Sequence, residues 1–351
     1  MIDQDFQGAG KGKVLSFGEL LLRICPDGNG MWLAENKLPF YIGGAELNVA
    51  TALALWDVPS SYLTAVPDHA IAHDIVNSVS GIGVDMDPVL FSGDRFGIYY
   101  LPKGKDLKNA SVIYDRANSS YAELKTGDID WNNAFEGVSW FHFSAICPAI
   151  SQDIADICLQ AVKAASEKGI TVSLDLNYRS KLWKYGKEPL EILPELVPYC
   201  TLIMGNVWAA NKMLGTTLHN SLTENGEYER DILLEQATET SKEIIAAYPN
   251  CKAIANTFRF DYGQGIRYYT TLFTQGELTV SREYISTQIL DKVGSGDCFM
   301  AGLIYGFYHQ LPAKETLAFA TAAAYDKLFI PSDATTSSVA DVLKMKTQNE
   351  Q

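Results

Sequence analysis

An alternation of apolar runs with amphipathic segments fills the chain from about residue 139 onwards. The segment SQDIADICLQAVKAASEKG (151–169) has helical spacing, with Ser151 placed as its N-cap and Gly169 as the residue that ends it. The strand-like runs around it are WFHFSAI (140–146), ITVSLDLN (170–177), TLIMGN (201–206) and CKAIANT (251–257). Strands that alternate with helices predict βαβ units, and hence an α/β fold whose mainly parallel sheet carries helices on both faces.

Two regions interrupt this alternation and predict a second, smaller sheet. The segments GELLLRICP (18–26), FGIYYLPKG (96–104) and ASVIYDR (110–116) alternate polar and apolar residues, and no helix separates the last two. A mostly antiparallel sheet of this kind is either an edge extension of the main sheet or a lid over a cleft. We favour the lid, because transfer reactions commonly use a lid to exclude water.

The predicted domain organisation follows from these patterns. Residues 1–12 are polar and glycine-rich and are expected to form a flexible tail. Residues 13–351 are expected to form a single domain, with lid strands from about 18–42 and 90–118. A chain of 351 residues, of which 47% are hydrophobic, is long enough to bury one large core.

Charge and cysteine usage argue against several classes of protein. The formal net charge is −14, which repels nucleic acid and anionic membranes, so we expect neither as a partner. No apolar run approaches the length of a membrane span, and the N-terminus lacks the apolar segment of a signal peptide. The six cysteines are scattered and form no C-x-x-C pair. They fit buried thiols in a reducing compartment, and we expect a cytoplasmic protein.

The stretch DKVGSGDCFMAG (291–302) sets three small residues and an acid directly before an apolar helix. Gly294, Ser295 and Gly296 would expose consecutive backbone N–H groups, and the helix N-terminus would add unpaired N–H groups and a partial positive charge. Together these features predict an anion hole suited to phosphate. Asp297 beside it is either an N-cap or a catalytic base, and the two roles do not exclude each other.

Competing phosphate-binding motifs do not match the sequence. It has no G-x-x-x-x-G-K-[ST], which excludes a P-loop. A dinucleotide fingerprint would need Gly or Ala where Phe299 stands. A carboxylate beside an anion hole is instead typical of phosphoryl transfer. The acid accepts a proton from the attacking hydroxyl while the N–H groups hold the phosphate.

Two motifs carry a resemblance to a known family. DKVGSGDCFMAG resembles the D-x-V-G-A-G-D-x-F-x-A-G signature of the ribokinase-like (PfkB) carbohydrate kinases, and YIGGAELNVATALALWDV (41–58) resembles that family's N-terminal signature. The resemblance runs from about residue 14 to 345 and implies a three-layer ribokinase-like α/β fold with a small β-sheet lid. Within the family the chain is most similar to 2-keto-3-deoxygluconate kinases, through VIYDR (112–116), SAICPAIS (144–151) and SLDLNYRSKLW (173–183).

The resemblance implies a reaction and a catalytic group. The reaction is ATP-dependent phosphorylation of 2-dehydro-3-deoxy-D-gluconate on its 6-hydroxyl, with ATP and Mg²⁺ as cofactors and the sugar acid as the small-molecule partner. Asp297 would be the general base. The N–H groups of Gly294, Ser295 and Gly296 would form the anion hole.

The resemblance also implies binding residues and an assembly. Asn206 and Thr257 would bind the nucleotide. The chain is expected to be a homo-oligomer, a dimer through the lid, because lid sheets with exposed apolar faces often pair between subunits. The residues implied to bind the sugar are Gly43, Gly44, Asn48, Tyr99, Tyr114, Arg116, Ile146 and Arg179.

Two arginines among these residues suit a sugar acid. The guanidinium groups of Arg116 and Arg179 pair well with a carboxylate, which a keto-acid sugar carries and a neutral sugar lacks. The alternatives are another sugar kinase of the family, acting on fructose, ribose or a related keto-acid, or a non-catalytic sugar-sensing protein on the same fold.

Two departures from the family pattern concern the phosphate donor. The N-x-x-E motif tied to the metal reads Asn206-Val-Trp-Ala209, so its acid is missing and the metal ligands stay undetermined. The stretch NTFRFDYGQG (256–265) stands where the family has a glycine-rich nucleotide loop, with Phe258 where glycine is expected. The second departure predicts a reshaped purine pocket and leaves the phosphate-donor preference undetermined.

Overall fold

The computed structural model describes residues 6, 9–26, 32, 37–102, 112–220, 222 and 228–348. Short 3-10 helices at Ala9–Lys11 and Val197–Tyr199 accompany the regular elements. The strands are β1 (Lys13–Phe17), β2 (Leu21–Ile24), β3 (Phe40–Gly43), β4 (Ser60–Leu63), β5 (Ala65–Val66), β6 (Leu90–Phe91), β7 (Gly97–Tyr100), β8 (Ile113–Asp115), β9 (Val138–Ser144), β10 (Thr171–Asp175), β11 (Leu202–Gly205), β12 (Ala253–Tyr262), β13 (Gly265–Thr274), β14 (Glu277–Val280) and β15 (Tyr284–Ser286). The α-helices are α1 (Ala45–Leu55), α2 (Ala70–Ser80), α3 (Trp131–Ala134), α4 (Gln152–Glu167), α5 (Pro189–Leu196), α6 (Val207–Leu214), α7 (Arg230–Ala247), α8 (Ser295–Tyr308), α9 (Ala313–Lys327) and α10 (Val339–Gln348).

The main sheet is mostly parallel, as the strand–helix alternation predicts. Its strand order is β14-β13-β12-β11-β10-β9-β1-β4, with β15 beside β13. The pairs from β4 through β1, β9, β10 and β11 to β12 are all parallel, whereas β13 pairs antiparallel with its neighbours. Helices α3 to α6 pack on one face of this sheet, and α1, α8, α9 and α10 pack on the other. The chain therefore has the three-layer α/β fold.

Strand β9 shows why the sheet needs cover on both faces. Its side chains alternate, so that Trp140 packs into the core under α8 and α9 while Phe141 and Phe143 pack into the core under α4. The predicted ends of α4 are confirmed. The Ser151 hydroxyl accepts a hydrogen bond from the Ile154 N–H at 3.2 Å, and Gly169 has a φ of +67° just beyond the helix.

The stretch NTFRFDYGQG (256–265), which departs from the family's glycine-rich nucleotide loop, lies in a long hairpin. Strand β12 continues past residue 257 to Tyr262 and pairs antiparallel with β13 along its whole length. Phe258 stabilises this arrangement because its ring is buried and stacks on Tyr269 across the hairpin, with ring centroids 4.9 Å apart. An aromatic residue at this position thus extends the strand where a glycine would permit a turn.

The predicted lid is a separate four-stranded sheet in the order β3-β2-β7-β8, with β2 and β7 parallel and the other pairs antiparallel. Within the predicted segment 90–118, the strands of this sheet are β7 and β8. The Leu90 N–H donates to the Thr64 carbonyl, and β6 pairs with β5 in a sheet of their own. Parts of the predicted lid segments lie outside the described residues, namely 27–31, 33–36 and 103–111.

Within the predicted flexible tail the structure buries Phe6, whereas Gly10 and Lys11 are exposed. The ring of Phe6 is buried and stacks on Phe307, with ring centroids 4.1 Å apart, because it fills the apolar gap between that ring and Trp140. Residues 1–5, 7 and 8 lie outside the described residues. As for the membrane expectation, none of the helices in the described ranges has the length and apolar character needed to cross a bilayer.

Candidate functional site

A cavity of about 540 Å³ lies between the lid sheet and the carboxyl ends of the central parallel strands. Open α/β sheets bind ligands at this end. The structure brings every predicted site residue except Gly43 to the lining of this one cavity. The predicted residues that line it are Gly44, Asn48, Tyr99, Tyr114, Arg116, Ile146, Arg179, Asn206, Thr257, Gly294, Ser295, Gly296 and Asp297.

The glycine turn before α8 has the conformation that the sequence predicts. Gly294 is the N-cap with a φ of +77°, and a Cβ there would lie 1.8 Å from the Asp333 carbonyl oxygen. Only glycine fits such a position. Helix α8 begins at Ser295, so its first N–H groups have no carbonyl partner one turn earlier and can bind an anion.

Asp297 occupies the first turn of α8 and is not its N-cap. Its Oδ2 accepts a hydrogen bond from Asn48 Nδ2 at 2.7 Å, which orients the carboxylate in the cavity. Burial raises the pKa of Asp297 to about 7, and the negative charge of Glu46 adds to this rise. The hydrogen bond from Asn48 and the positive charge of Arg179 act in the opposite direction. A carboxylate with a pKa near neutrality is well matched to general-base catalysis.

Two further carboxylates lie beside Asp297 and were not among the predicted site residues. Asp175 ends strand β10 and lines the cavity, and burial together with the charge of Asp297 raises its pKa to about 8. Glu46, in the first turn of α1, accepts hydrogen bonds from the N–H and the hydroxyl of Ser144, and burial raises its pKa. The sequence signal for Asp175 was an acid at the carboxyl end of a buried parallel strand.

The lid contributes Arg116, whose charge already has a partner. Arg116 Nε lies 2.5 Å from Glu19 Oε2, and both side chains are buried. The Ser119 hydroxyl donates to the other oxygen of the same carboxylate at 2.5 Å. Glu19 was not predicted, because it lies between two strands with no motif around it. Arg116 therefore lines the cavity as half of an ion pair.

The remaining predicted sugar residues occupy different depths of the site. Tyr99 is buried and its hydroxyl donates to Asp333, whereas Tyr114 is only partly buried. Arg179 is partly exposed and donates from Nη1 to the Tyr178 carbonyl at 3.0 Å. Gly43 does not line the cavity, and a Cβ there would lie 2.4 Å from Asp333 Oδ2. The structure thus gives Gly43 a packing reason to be glycine.

The predicted nucleotide residues lie on or next to strands β11 and β12. The Asn206 side chain follows β11, accepts a hydrogen bond from the Ala209 N–H at 2.8 Å and caps α6. Thr257 lies on β12. Lys292 pairs with Asp261, near the tip of the β12–β13 hairpin, at 2.7 Å. Lys212, Arg259 and Lys292 are basic side chains that line the cavity.

The protein offers a poor set of ligands for Mg²⁺. In the part of the chain that the structure describes, no three His, Cys, Asp or Glu side chains come together as metal ligands. Ala209 stands where the family pattern has an acid, and the oxygen of Asn206 is already used as a helix cap. The residues present do not form a metal cage, so phosphate oxygens and water would have to supply most ligands of a Mg²⁺ ion.

These parts define a class of protein. An anion-binding turn at a helix N-terminus, a buried acid beside it and a β lid above them are the components of a phosphoryl-transfer site. Residues 11–326 match the sequence profile of the pfkB family carbohydrate kinases, and the chain belongs to that family. It is a sugar kinase.

Individual relatives show how the chain is placed within the family. The crystal structure of 2-dehydro-3-deoxygluconokinase from Thermotoga maritima is similar with a TM-score of 0.86 and 30% identity, covering 96% of this chain and 99% of that one. The 2-dehydro-3-deoxygalactonokinase of Haloferax volcanii is 24% identical over 92% of both chains. A probable fructokinase-5 of Arabidopsis thaliana is also 24% identical, over 95% of this chain and 98% of its own.

Replacing Asp297 by Asn should separate catalysis from folding. Asn keeps the shape and can still accept from Asn48, so we expect a folded protein whose kcat falls by about 10²–10⁴. The folded pKa of about 7 lies above the unfolded value, so ionisation of Asp297 lowers stability as pH rises from about 4 to 7. The variant should therefore be as stable as the parent at pH 4 and more stable at pH 8, as measured by thermal unfolding.

The pH dependence and a control complete this prediction. In the parent protein kcat/KM should rise with pH up to about 7 and then level off, because the base acts in its ionised form. Asp341→Asn is the matched control, since Asp341 is also a first-turn acid but is exposed to solvent on α10. Turnover of Asp297→Asn equal to that of Asp341→Asn would exclude the role of general base.

Proposed function

We propose that the protein transfers the γ-phosphoryl group of ATP to the 6-hydroxyl of 2-dehydro-3-deoxy-D-gluconate, with Asp297 as the general base. The observation that carries this proposal is the position of Asp297. Its partly buried carboxylate, with a pKa of about 7, lies in the first turn of the helix whose N–H groups form the anion hole. Proton acceptance and phosphate binding can therefore occur on either side of one reacting hydroxyl.

The residues of the site support a sequence of roles. The sugar enters between the lid and α1, where Asn48 holds the carboxylate of Asp297 in place. Asp297 accepts the proton of the attacking hydroxyl as the new oxygen–phosphorus bond forms, while the bond from the γ-phosphorus to the bridging oxygen breaks and ADP leaves. The N–H groups of Gly294, Ser295 and Gly296 bind the charge that builds up on the phosphate oxygens. The lid covers the reacting groups and excludes the water that would otherwise be phosphorylated.

The choice of a sugar acid rests on Arg179 and Arg116. Glu19 already balances the charge of Arg116, so Arg179 is the cation with more charge to offer a substrate carboxylate. The named activities of the Thermotoga and Haloferax relatives support a keto-deoxy sugar acid. Fructokinases of equal identity to the Haloferax relative support the second candidate, a neutral ketose, which would bind without a carboxylate partner.

A substrate panel tests the proposed activity. Release of ADP from ATP and Mg²⁺ is measured with 2-keto-3-deoxygluconate, its galacto epimer, fructose, ribose and adenosine. We expect turnover with the keto-acids alone. Turnover with fructose or ribose would keep the kinase and contradict the sugar-acid assignment. Binding of a sugar without turnover of any of the five would contradict catalysis and favour a sugar-sensing protein.

A variant at Arg179 tests how the carboxylate is recognised. Arg179→Met should raise the KM for the sugar acid by about 10- to 150-fold, the loss expected for a hydrogen bond between charged groups. The KM for ATP should change less than threefold. Arg95→Met is the matched control, because Arg95 pairs with Asp115 at the lid outside the cavity lining. Equal increases in both KM values, or no increase for the sugar acid, would contradict the role of Arg179.

We also propose that the protein is a dimer through the outer face of the lid. The strand register places alternate side chains of the four lid strands on this outer face, and Arg23 and Tyr99 point to the opposite face. Phe40 and Ile113 are 50% and 59% exposed there. A second copy that covers these side chains would bury a mainly apolar surface. The residues of the outer face are Leu22, Ile24, Phe40, Ile42, Ile98, Tyr100, Ile113 and Asp115, the last paired with Arg95.

Charges placed on this face should separate the subunits. Phe40→Glu combined with Ile113→Glu should convert a particle of twice 38.6 kDa into one of 38.6 kDa, as measured by light scattering during gel filtration. Ile71→Glu is the control, since Ile71 is equally exposed, at 59%, but lies on α2. A parent protein of 38.6 kDa, or a double variant that stays dimeric, would contradict this interface.

A further inference from the structure

A fully buried arginine lies in the middle of a lid strand. Arg23 is on β2, its side chain is completely shielded from solvent, and it stands beside Tyr99 of β7 in the lid sheet. Its guanidinium also lies over the ring of Tyr41 on β3, 4.7 Å from the centroid. Arginine is almost never fully buried unless it is paired. The partners of Arg23 therefore identify what the lid holds.

Both acidic partners of Arg23 belong to the main domain. Arg23 Nη2 lies 2.6 Å from Asp291 Oδ2, and Nε lies 2.9 Å from Asp333 Oδ1. Asp333 is in the segment that follows α9, and its other oxygen accepts the hydroxyl hydrogen of Tyr99. Two side chains from neighbouring lid strands thus converge on carboxylates that the lid itself does not supply.

The two carboxylates are built into the anion-binding turn. Asp291 Oδ1 accepts the Val293 N–H at 3.2 Å, which fixes the chain as it enters the turn. The backbone oxygen of Asp333 lies against Gly294, and its side chain lies against Gly43 at the end of β3. A movement of Asp333 would therefore shift the turn and a lid strand together.

This cluster contains equal numbers of buried cations and carboxylates, and their burial carries a desolvation cost. Lys327, at the end of α9, is also buried and donates to the Ile330 carbonyl at 3.0 Å, close behind Gly294. Two cations and two carboxylates hence share the space beneath the turn. Replacing buried ion pairs of this kind with apolar groups is often neutral or stabilising, so stability alone does not account for them. Fixed geometry is the property that such a cluster supplies.

We propose that Arg23 is a positioning residue for phosphoryl transfer. By bridging Asp291 and Asp333 it locks the lid sheet to the turn that carries the anion hole and Asp297. The sugar held under the lid and the phosphate held by the turn are then kept at a fixed distance and orientation relative to each other. This inference rests on the proposed kinase function for its effect on rate, whereas the lock itself is a property of the fold.

Kinetics of three variants test the effect on rate. Arg23→Met removes both contacts, and Arg23→Lys keeps the charge but cannot span two carboxylates in the same way. Arg23→Met combined with Asp333→Asn removes one charge of each sign, so it leaves no net buried charge if the single variant fails to fold. We expect kcat to fall by about 10- to 100-fold in each, because small displacements of reacting groups have effects of that size.

Amide hydrogen exchange tests the lock without reference to activity. The double variant should exchange faster in β2 and β7 and, together with them, in residues 290–298, while α4 and α5 stay protected. Val162→Ala is the control for a general loss of stability, since Val162 is buried on α4 in the other core. It should lower the unfolding temperature and leave kcat well below that temperature unchanged.

The outcomes separate this inference from the proposed function. Faster exchange at both places with a lower kcat supports the lock and its role in transfer. If the parent protein phosphorylates none of the sugars, the proposed effect on rate is contradicted. The exchange result would still decide whether the lid and the turn are locked together. Unchanged kcat in the variants, full activity of Arg23→Lys, or faster exchange in the lid without the turn would overturn the proposal.

Discussion

The catalytic end of this molecule depends on one constraint, which is that the chain must enter α8 through a backbone turn that only glycine can adopt. Gly294 has a positive φ, and the backbone of Asp333 fills the space where a side chain would stand. Because of that turn, the first N–H groups of α8 are left for an anion and Asp297 falls in the same first turn. One short segment therefore fixes the unpaired N–H groups of the helix start and the carboxylate of Asp297 relative to each other.

Buried ionisable side chains surround this segment, and their desolvation costs free energy that apolar side chains would not cost. Burial raises the pKa of Glu46, Asp175 and Asp297, which means that their ionised forms lower the stability of the folded state. Asp175 and Asp297, with pKa values of about 8 and about 7, therefore change protonation near neutral pH in response to neighbouring charges. Arg23 and Lys327 lie on the other side of the turn among Asp291 and Asp333. The turn thus lies between a cluster of three carboxylates and a cluster in which two cations face two carboxylates.

The sequence predicts the layers and the turn because their signals are local. Apolar runs of strand length alternate with amphipathic helices, and the Gly-Ser-Gly-Asp sequence marks the turn by itself. The cluster around Arg23 has no local signal, since Asp291 is 268 residues away and an arginine in a strand reads as an exposed position. The pairing of Arg116 with Glu19 escaped prediction for the same reason, as did the packing of Phe6 on Phe307. Phe258 was noticed as an anomaly, but only its stacking on Tyr269 explains the hairpin.

The electrostatics of the cavity link the identity of the sugar to the strength of the base. Arg179 lowers the pKa of Asp297, while burial raises it. A substrate carboxylate bound to Arg179 would neutralise that cation and bring a negative charge closer, so the pKa of Asp297 would rise further in the complex. A higher pKa makes Asp297 more basic but also lowers its ionised fraction at neutral pH, so the two effects oppose each other. A neutral sugar would leave Arg179 charged and the pKa of Asp297 lower. The two kinds of substrate would thus differ in the pH at which kcat levels off as well as in KM.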